Sequence, residues 1–116
     1  MKIQATKIEA GQTIKVARVT TTQELLADYN EYIAAGSDWA KAYKAEAEAN
    51  LAKGIDGELN TTGKHNLEFK VLEVKEYASY AGVNEGNRTT GWNYTLLVTD
   101  NGSFLIPNRN KVTLVD

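Results

Sequence analysis

Two consecutive stretches of the chain place apolar residues at helical spacing. The first opens with Thr21-Thr22-Gln23-Glu24, a capping-box pattern that is typical of a helix N-terminus. Gly36 and Gly54 stand where each stretch stops, and glycine readily adopts the left-handed conformation that ends a helix. The pattern predicts a helical hairpin over about residues 22–53, packed on the rest of the chain through an apolar stripe. Its members are Leu25, Leu26, Tyr29, Trp39 and Tyr43.

Alternating apolar and polar residues predict strands on both sides of this hairpin. In the longest one the alternation changes phase between Val71 and Leu72, which indicates a bulge. Asn101-Gly102 favours a type I′ hairpin turn, and Pro107 is expected to end the strand that follows it. A stretch rich in Gly, Asn and Thr, residues 55–66, is predicted to be a loop. The strands fall at Ile14–Val19, Leu67–Tyr77, Trp92–Thr99, Ser103–Ile106 and Val112–Val115.

The second half of the chain resembles the SH3-like small β-barrel. The resemblance is carried by Val71–Val74, Leu97–Gly102, Phe104–Pro107 and Val112–Val115. It implies one α+β domain over residues 1–116, a barrel of about five strands into which the helical hairpin is inserted. The motifs of peptide-binding SH3 domains are absent, so proline-rich peptides are not implied as ligands. Gly11–Val16 resembles the start of the KOW-type barrels of transcription and translation factors.

Composition and charge narrow the classes of function. The 116 residues include no cysteine, which excludes disulfides, thiolate metal sites and cysteine nucleophiles. No apolar run is long enough to cross a bilayer, and the N-terminus lacks a signal-peptide pattern, so we expect a cytoplasmic protein. The net charge is −2, and residues 22–53 hold six acidic side chains against three lysines. Nucleic acid is therefore a disfavoured partner, because its phosphates require clustered cations.

Candidate catalytic groups are few. His65, the only histidine, lies in a polar stretch and is predicted to be a solvated loop residue. Glu73 and Glu76 on the longest strand are predicted to lie on a solvated face. No nucleotide, metalloprotease or hydrolase motif occurs. The sequence therefore predicts a protein that is not an enzyme and that holds no cofactor and no metal.

The leading hypothesis is a non-catalytic module that binds a protein partner of unknown identity. Small cysteine-free chains of this kind resemble phage or mobile-element accessory proteins, such as inhibitors of host machinery. The expected contact residues are Tyr80, Arg88 and Trp92 around a glycine-rich loop, with Tyr32 and Tyr43 on the helices. Two alternatives stay open: nucleic-acid binding through the basic residues Lys2, Lys7, Lys15 and Arg18, and small-ligand binding at residues 82–91. The sequence leaves the oligomeric state undetermined.

Overall fold

The protein combines one mixed eight-stranded sheet with two helices. The structure is a computed structural model that describes residues 1–79 and 92–115. The strands are β1 Lys2–Gln4, β2 Thr13–Val16, β3 Arg18–Thr21, β4 Gly57–Asn60, β5 Leu67–Ser79, β6 Trp92–Thr99, β7 Gly102–Pro107 and β8 Lys111–Val115. The helices are α1 Thr22–Ala34 and α2 Trp39–Ala52, and a single 3₁₀ turn spans Ala5–Lys7. The strand order is β1-β8-β2-β5-β6-β7-β4-β3, antiparallel except for the parallel pair β4–β7.

The prediction of a five-stranded SH3-like barrel is wrong. The bent strand, the hairpin and the final strand that carried the resemblance are present, but they belong to a larger α+β sheet. Strands β3 and β4, which were not predicted as separate strands, have four residues each. Strands of that length carry too little alternation to be recognised, and β4 arises within the stretch predicted to be a loop. The helical hairpin does lie between two strands, β3 and β4.

The single strand predicted over Ile14–Val19 is in fact two. Ala17 separates β2 from β3, and its backbone N–H donates to the carbonyl oxygen of Asn60 at 2.9 Å. The two strands lie third and last in the sheet order, which in a flat sheet would place them about 24 Å apart. The α-carbons of Val16 and Arg18 can be at most about 7 Å apart. The sheet must therefore curl strongly, which brings its β3 edge back toward β2.

The predicted bulge, strand end and helix ends are confirmed. The register between β5 and β6 shifts between Val71 and Glu73, where Val71 is fully buried and Leu72 is 53% exposed. Pro107 is the last residue of β7. The side chain of Thr21 accepts the backbone N–H of Glu24 at 3.1 Å and caps α1. The two glycines predicted to end the helices both have positive φ.

The hydrophobic core lies on one face of the curled sheet. Alternate residues of β4, β6 and β7 point into it, including Leu59, Leu97 and Ile106, each at most 1% exposed. Their neighbours Glu58 and Leu105 therefore face the opposite side. That side is covered by the helical hairpin, which begins directly after β3 and contacts β3 and β4 through α1.

The apolar stripe of the hairpin is less deeply buried than its spacing in the sequence predicts. Leu25, Leu26, Tyr29 and Tyr43 are half-buried, as expected of residues that pack on the sheet. Trp39 is 41% exposed, so its predicted place in the core is wrong. It is the first residue of α2 and its ring contacts the Tyr32 and Tyr43 rings of the hairpin itself. Neither helix has the length and apolar character to cross a membrane, within the part of the chain that the structure describes.

Candidate functional site

A cavity of about 110 Å³ separates the helical hairpin from the sheet. Its walls come from α1, α2, β4, β6 and β7 together with the segment that joins α2 to β4. Polar groups predominate where a packed core would be expected. The lining residues are Thr22, Leu25, Tyr29, Tyr43, Glu46, Ala47, Asn50, Ile55, Gly57, Glu58, Tyr94 and Leu105. Several of them are only half-buried, so the cavity is open to solvent at its margin.

Two carboxyl groups line the cavity from opposite sides. Glu58 comes from β4, where the strand alternation turns Leu59 into the core and Glu58 toward the helices. Glu46 comes from α2 and is 7% exposed. Burial raises the pKa of the Glu58 carboxyl, and the negative charge of Glu46 raises it further. Such a pair can hold a proton between its members or attract a cation.

Three tyrosines complete the polar wall. Tyr29, Tyr43 and Tyr94 come from α1, α2 and β6. Burial raises the pKa of Tyr29 to about 12, with the Glu58 carboxylate as the next cause. Burial and then Glu58 also raise the pKa of Tyr94. The Tyr29 and Tyr94 side chains are therefore neutral phenols at physiological pH, and all three tyrosines line the cavity.

Hydrogen bonds fix the polar ends of the cavity wall. The hydroxyl of Thr22 donates to the carbonyl oxygen of Ile55 at 2.9 Å, which ties the start of α1 to the segment before β4. The side-chain oxygen of Asn50 accepts the Tyr77 hydroxyl at 2.8 Å, which ties α2 to β5. Thr22 and Asn50 are 2% and 6% exposed. Buried polar groups that are paired in this way hold the two helices at a fixed distance from the sheet.

An aromatic run leads from the cavity to the tip of the hairpin. The ring centroid of Tyr43 lies 6.0 Å from that of Tyr29 inside the cavity and 5.9 Å from that of Trp39 outside it. The Trp39 ring lies 5.1 Å from the Tyr32 ring. Tyr32 is 49% exposed and Trp39 is 41% exposed, so the run ends at the surface as a pair of tilted, solvent-facing rings.

One face of α1 is acidic along its whole length. Glu24, Asp28 and Glu31 are spaced four and three residues apart, which places them on one side of the helix, and all three are exposed. The helix contains no lysine or arginine. None of the three forms an ion pair with another residue of the described ranges 1–79 and 92–115.

The predicted contact residues fall into two groups. Tyr32 and Tyr43 both belong to the aromatic run, in which Tyr32 is the exposed end and Tyr43 lies between Tyr29 and Trp39. Tyr80 and Arg88 lie outside the described residues, and so does the stretch 82–91 that was predicted to take a small ligand. Trp92 begins β6, where its backbone pairs with Ser79 of β5.

The other candidates are structural or solvated. His65 is half-buried rather than solvated: its Nδ1 lies 2.7 Å from the Thr113 hydroxyl and its Nε2 lies 2.9 Å from the carbonyl oxygen of Thr61. Glu73 and Glu76 are exposed, as predicted. Across ranges 1–79 and 92–115, no three side chains of His, Cys, Asp or Glu are grouped so that they could hold a metal ion.

The basic residues of the N-terminal segment do not form one patch. Lys2 and Lys15 both pair with Thr113 and so share a face of the sheet, but Glu68 is the partner of Lys15 on its other side. Lys7 lies in the 3₁₀ turn and Arg18 is the first residue of β3, so the four basic residues belong to four different elements.

Sequence reasoning missed Glu58 and Tyr94 and treated Glu46 only as a balancing charge. A signal for β4 was present, since Ile55, Gly57 and Leu59 alternate with Asp56, Glu58 and Asn60. The abundance of Gly and Asn outweighed it. Comparisons with protein-family models, with curated proteins and with solved structures find no match to this chain.

Proposed function

We propose that this protein is a non-catalytic binding module that uses its helical hairpin to hold a basic surface of a partner protein. One observation carries the proposal: the Tyr32 and Trp39 rings lie in tilted contact, with centroids 5.1 Å apart, and yet remain 49% and 41% exposed. Tyrosine and tryptophan supply much of the energy of protein interfaces. A solvent-facing pair of such rings at a hairpin tip is an anchor that can be buried by a partner.

Charge complementarity supports a basic partner. The exposed stripe of Glu24, Asp28 and Glu31 runs along α1 and ends beside Tyr32. An acidic surface steers a basic partner toward it and disfavours acidic ones. The same stripe repels nucleic acid, whose phosphates are negative. A cytoplasmic location and an origin in a phage or mobile element remain predictions from the sequence.

Binding to matched synthetic peptides tests the proposal. A lysine- and arginine-rich peptide containing one leucine is compared, by titration calorimetry, with the same peptide in which glutamate replaces each basic residue. We expect saturable binding of the basic peptide only. The double variant Tyr32→Ala/Trp39→Ala is expected to weaken it by about ten-fold or more, because the anchor rings are lost.

The matched control is Leu72→Ala, which removes an exposed apolar side chain on β5, away from the hairpin. This variant is expected to bind like the parent. Equal affinity for both peptides, or a folded double variant that binds like the parent, would rule the hairpin out as the contact surface. A pull-down from lysate, repeated after nuclease treatment, separates a protein partner from a nucleic acid.

A further inference from the structure

The cavity under the hairpin is lined by polar side chains that have no role in the proposed contact surface. A void between a helix pair and a sheet normally closes by packing apolar side chains, since interiors reach the density of crystals. Here two carboxyl groups and three phenols face about 110 Å³ of unfilled space. None of the described residues that line it is a lysine, arginine or histidine.

The electrostatics of the cavity favour a positive charge inside it. The carboxyl groups of Glu46 and Glu58 approach from α2 and β4, and a carboxylate attracts a positive charge. The faces of tyrosine rings carry negative potential, and rings around a cation attract it. Tyr29 and Tyr43 line the space from the hairpin and Tyr94 lines it from the sheet, so there are aromatic residues on both sides of it.

Size and donor set point to an organic cation rather than a metal ion. Calcium and magnesium are bound by clusters of carboxylates and other oxygen ligands, and no three side chains of His, Cys, Asp or Glu in ranges 1–79 and 92–115 are grouped in that way. An apolar cavity of about 150 Å³ accepts a benzene molecule. The present volume therefore suits a group of a few heavy atoms, such as the head of an alkylamine.

We propose that the cavity formed by Tyr29, Tyr43, Tyr94, Glu46 and Glu58 is a binding site for an alkylammonium group. The carboxylates neutralise its charge, and the ring faces contact its carbon atoms. The group can belong to a free small amine or to a lysine side chain of a partner protein. The site stands on the cavity alone and does not depend on the Tyr32–Trp39 surface.

Titration with simple salts tests the site. Methylammonium chloride and tetramethylammonium chloride are added to the protein at constant ionic strength, with sodium chloride as the reference, and the backbone amide and tyrosine ring signals are followed by NMR. We expect saturable shifts at Tyr29, Tyr43 and Glu58 with the organic cations and none with sodium. In Glu58→Gln the affinity is expected to fall about ten-fold, because one carboxylate charge is lost while the shape is kept.

The control is Glu48→Gln, which removes an exposed carboxylate of α2 that does not line the cavity. It is expected to bind the organic cations like the parent. The proposal is overturned if sodium produces the same shifts, or if a folded Glu58→Gln binds as tightly as the parent.

Two further arms separate the sources of the ammonium group and the two proposals. A lysine-containing peptide and its norleucine counterpart report whether a side chain can enter; if only free amines shift the signals, the ligand is a small molecule. Trp39→Ala is expected to keep its ammonium affinity while losing the basic peptide. A variant that loses peptide binding but keeps ammonium binding identifies the hairpin surface as the peptide site. A variant that loses ammonium binding but keeps peptide binding identifies the cavity as the ammonium site.

Discussion

Glu58 makes the folded state less stable at neutral pH than it would be with a neutral side chain. Among the residues that the structure describes, the groups that face it are Glu46 and Tyr43 from α2, Tyr29 from α1 and Tyr94 from β6, and none of these is basic. Its pKa is raised by burial and then by Glu46, so the folded state holds the Glu58 proton more tightly than the unfolded state does. The stabilisation that comes from this tighter proton binding is fully present below the unfolded pKa of 4.5. It is lost as the pH rises through the pKa of Glu58 in the folded state.

Replacing Glu58 by glutamine is therefore expected to raise the melting temperature at pH 7. The glutamine keeps the shape and the hydrogen-bonding capacity but carries no charge. At pH 4 the difference from the parent is expected to shrink, since Glu58 is then protonated. Thermal unfolding followed by circular dichroism at both pH values measures this, with Glu48→Gln as the exposed control. A parent that is more stable than the variant at pH 7 would show that Glu58 is favourably paired.

The helical spacing of Trp39 predicts that it lies in the core, but its position in the fold leaves it partly exposed. It is 41% exposed, whereas Phe69 is 7% exposed and packs against Phe104 with ring centroids 5.3 Å apart. We expect Trp39→Ala to reduce the free energy of unfolding by about 0.5–1.5 kcal/mol, as for a surface aromatic contact. Phe69→Ala is expected to cost about 3–5 kcal/mol. Urea unfolding of both variants checks the ranking; equal losses would place Trp39 in the core after all.

At the level of single elements, the β6–β7 turn forms by a different geometry from the one its sequence favours. Thr99 pairs with Gly102, so Asp100 and Asn101 are the two turn residues. A type I′ turn requires positive φ at both, yet among the described residues only glycines have positive φ. The predicted turn type is therefore wrong. Thr99 holds the turn instead, since its hydroxyl donates to the carbonyl oxygen of Gly102 at 2.7 Å and accepts from the Asn101 N–H at 3.2 Å.

Alanine substitutions at the two positions distinguish these geometries. Asn101→Ala is expected to change the free energy of unfolding by less than about 0.5 kcal/mol, because Asn101 is exposed and has no left-handed backbone to support. Gly102→Ala is expected to cost about 1–3 kcal/mol. Gly102 has φ of +128°, and an added methyl group would approach the Asp56 carboxylate to 2.6 Å. A large loss in Asn101→Ala would instead support the type I′ turn.

The elements that the sequence predicts well are those with local causes. The Thr21 cap, the left-handed glycines after each helix, the bulge at Leu72 and the stop at Pro107 each depend on a few neighbouring residues, and each is found. Strand β4 was missed although it alternates. Strand β4 is stabilised by pairing with β3 and β7, which lie far away in the chain. The sequence of Gly57–Asn60 alone therefore does not show that this segment forms a strand.

At the scale of the whole molecule, the candidate site depends on those distant pairings. Glu58 faces Tyr94 because β4 pairs with β7 in parallel and β7 pairs with β6. Tyr29 and Tyr43 reach the same space because the hairpin folds back over this face of the sheet. The sequence could indicate the aromatic stripe, and with it Tyr32 and Tyr43. It could not indicate that a glutamate of α2 and a glutamate of β4 would both meet the stripe, since the sheet order is not encoded in any local pattern.

The packing of the hairpin on the sheet can be tested through Tyr29, whose surroundings come from three parts of the molecule. Glu58 faces it from β4, Tyr43 and Glu46 from α2, and Asp28 from α1. Its pKa is raised from 10.0 to about 12, first by burial and then by Glu58. In the unfolded chain the phenol ionises near pH 10, so between pH 10 and 12 the unfolded state loses this proton first.

Below pH 10, Tyr29 is therefore expected to make no contribution to the pH dependence of stability. As the pH rises from 10 toward 12, its ionisation is expected to lower the free energy of unfolding. Absorbance at 295 nm, which reports phenolate, should show tyrosines that ionise late in the parent and one fewer of them in Tyr29→Phe. Urea unfolding at pH 9, 10 and 11 should show a shallower loss of stability in that variant, with the remaining loss due in part to Tyr94, whose pKa is also raised. Tyr32→Phe, at the exposed end of the aromatic run, is the control and should behave like the parent. If Tyr29 ionises near pH 10 in the folded protein, the hairpin does not bury it, and the cavity does not exist in solution in the form that the structure shows.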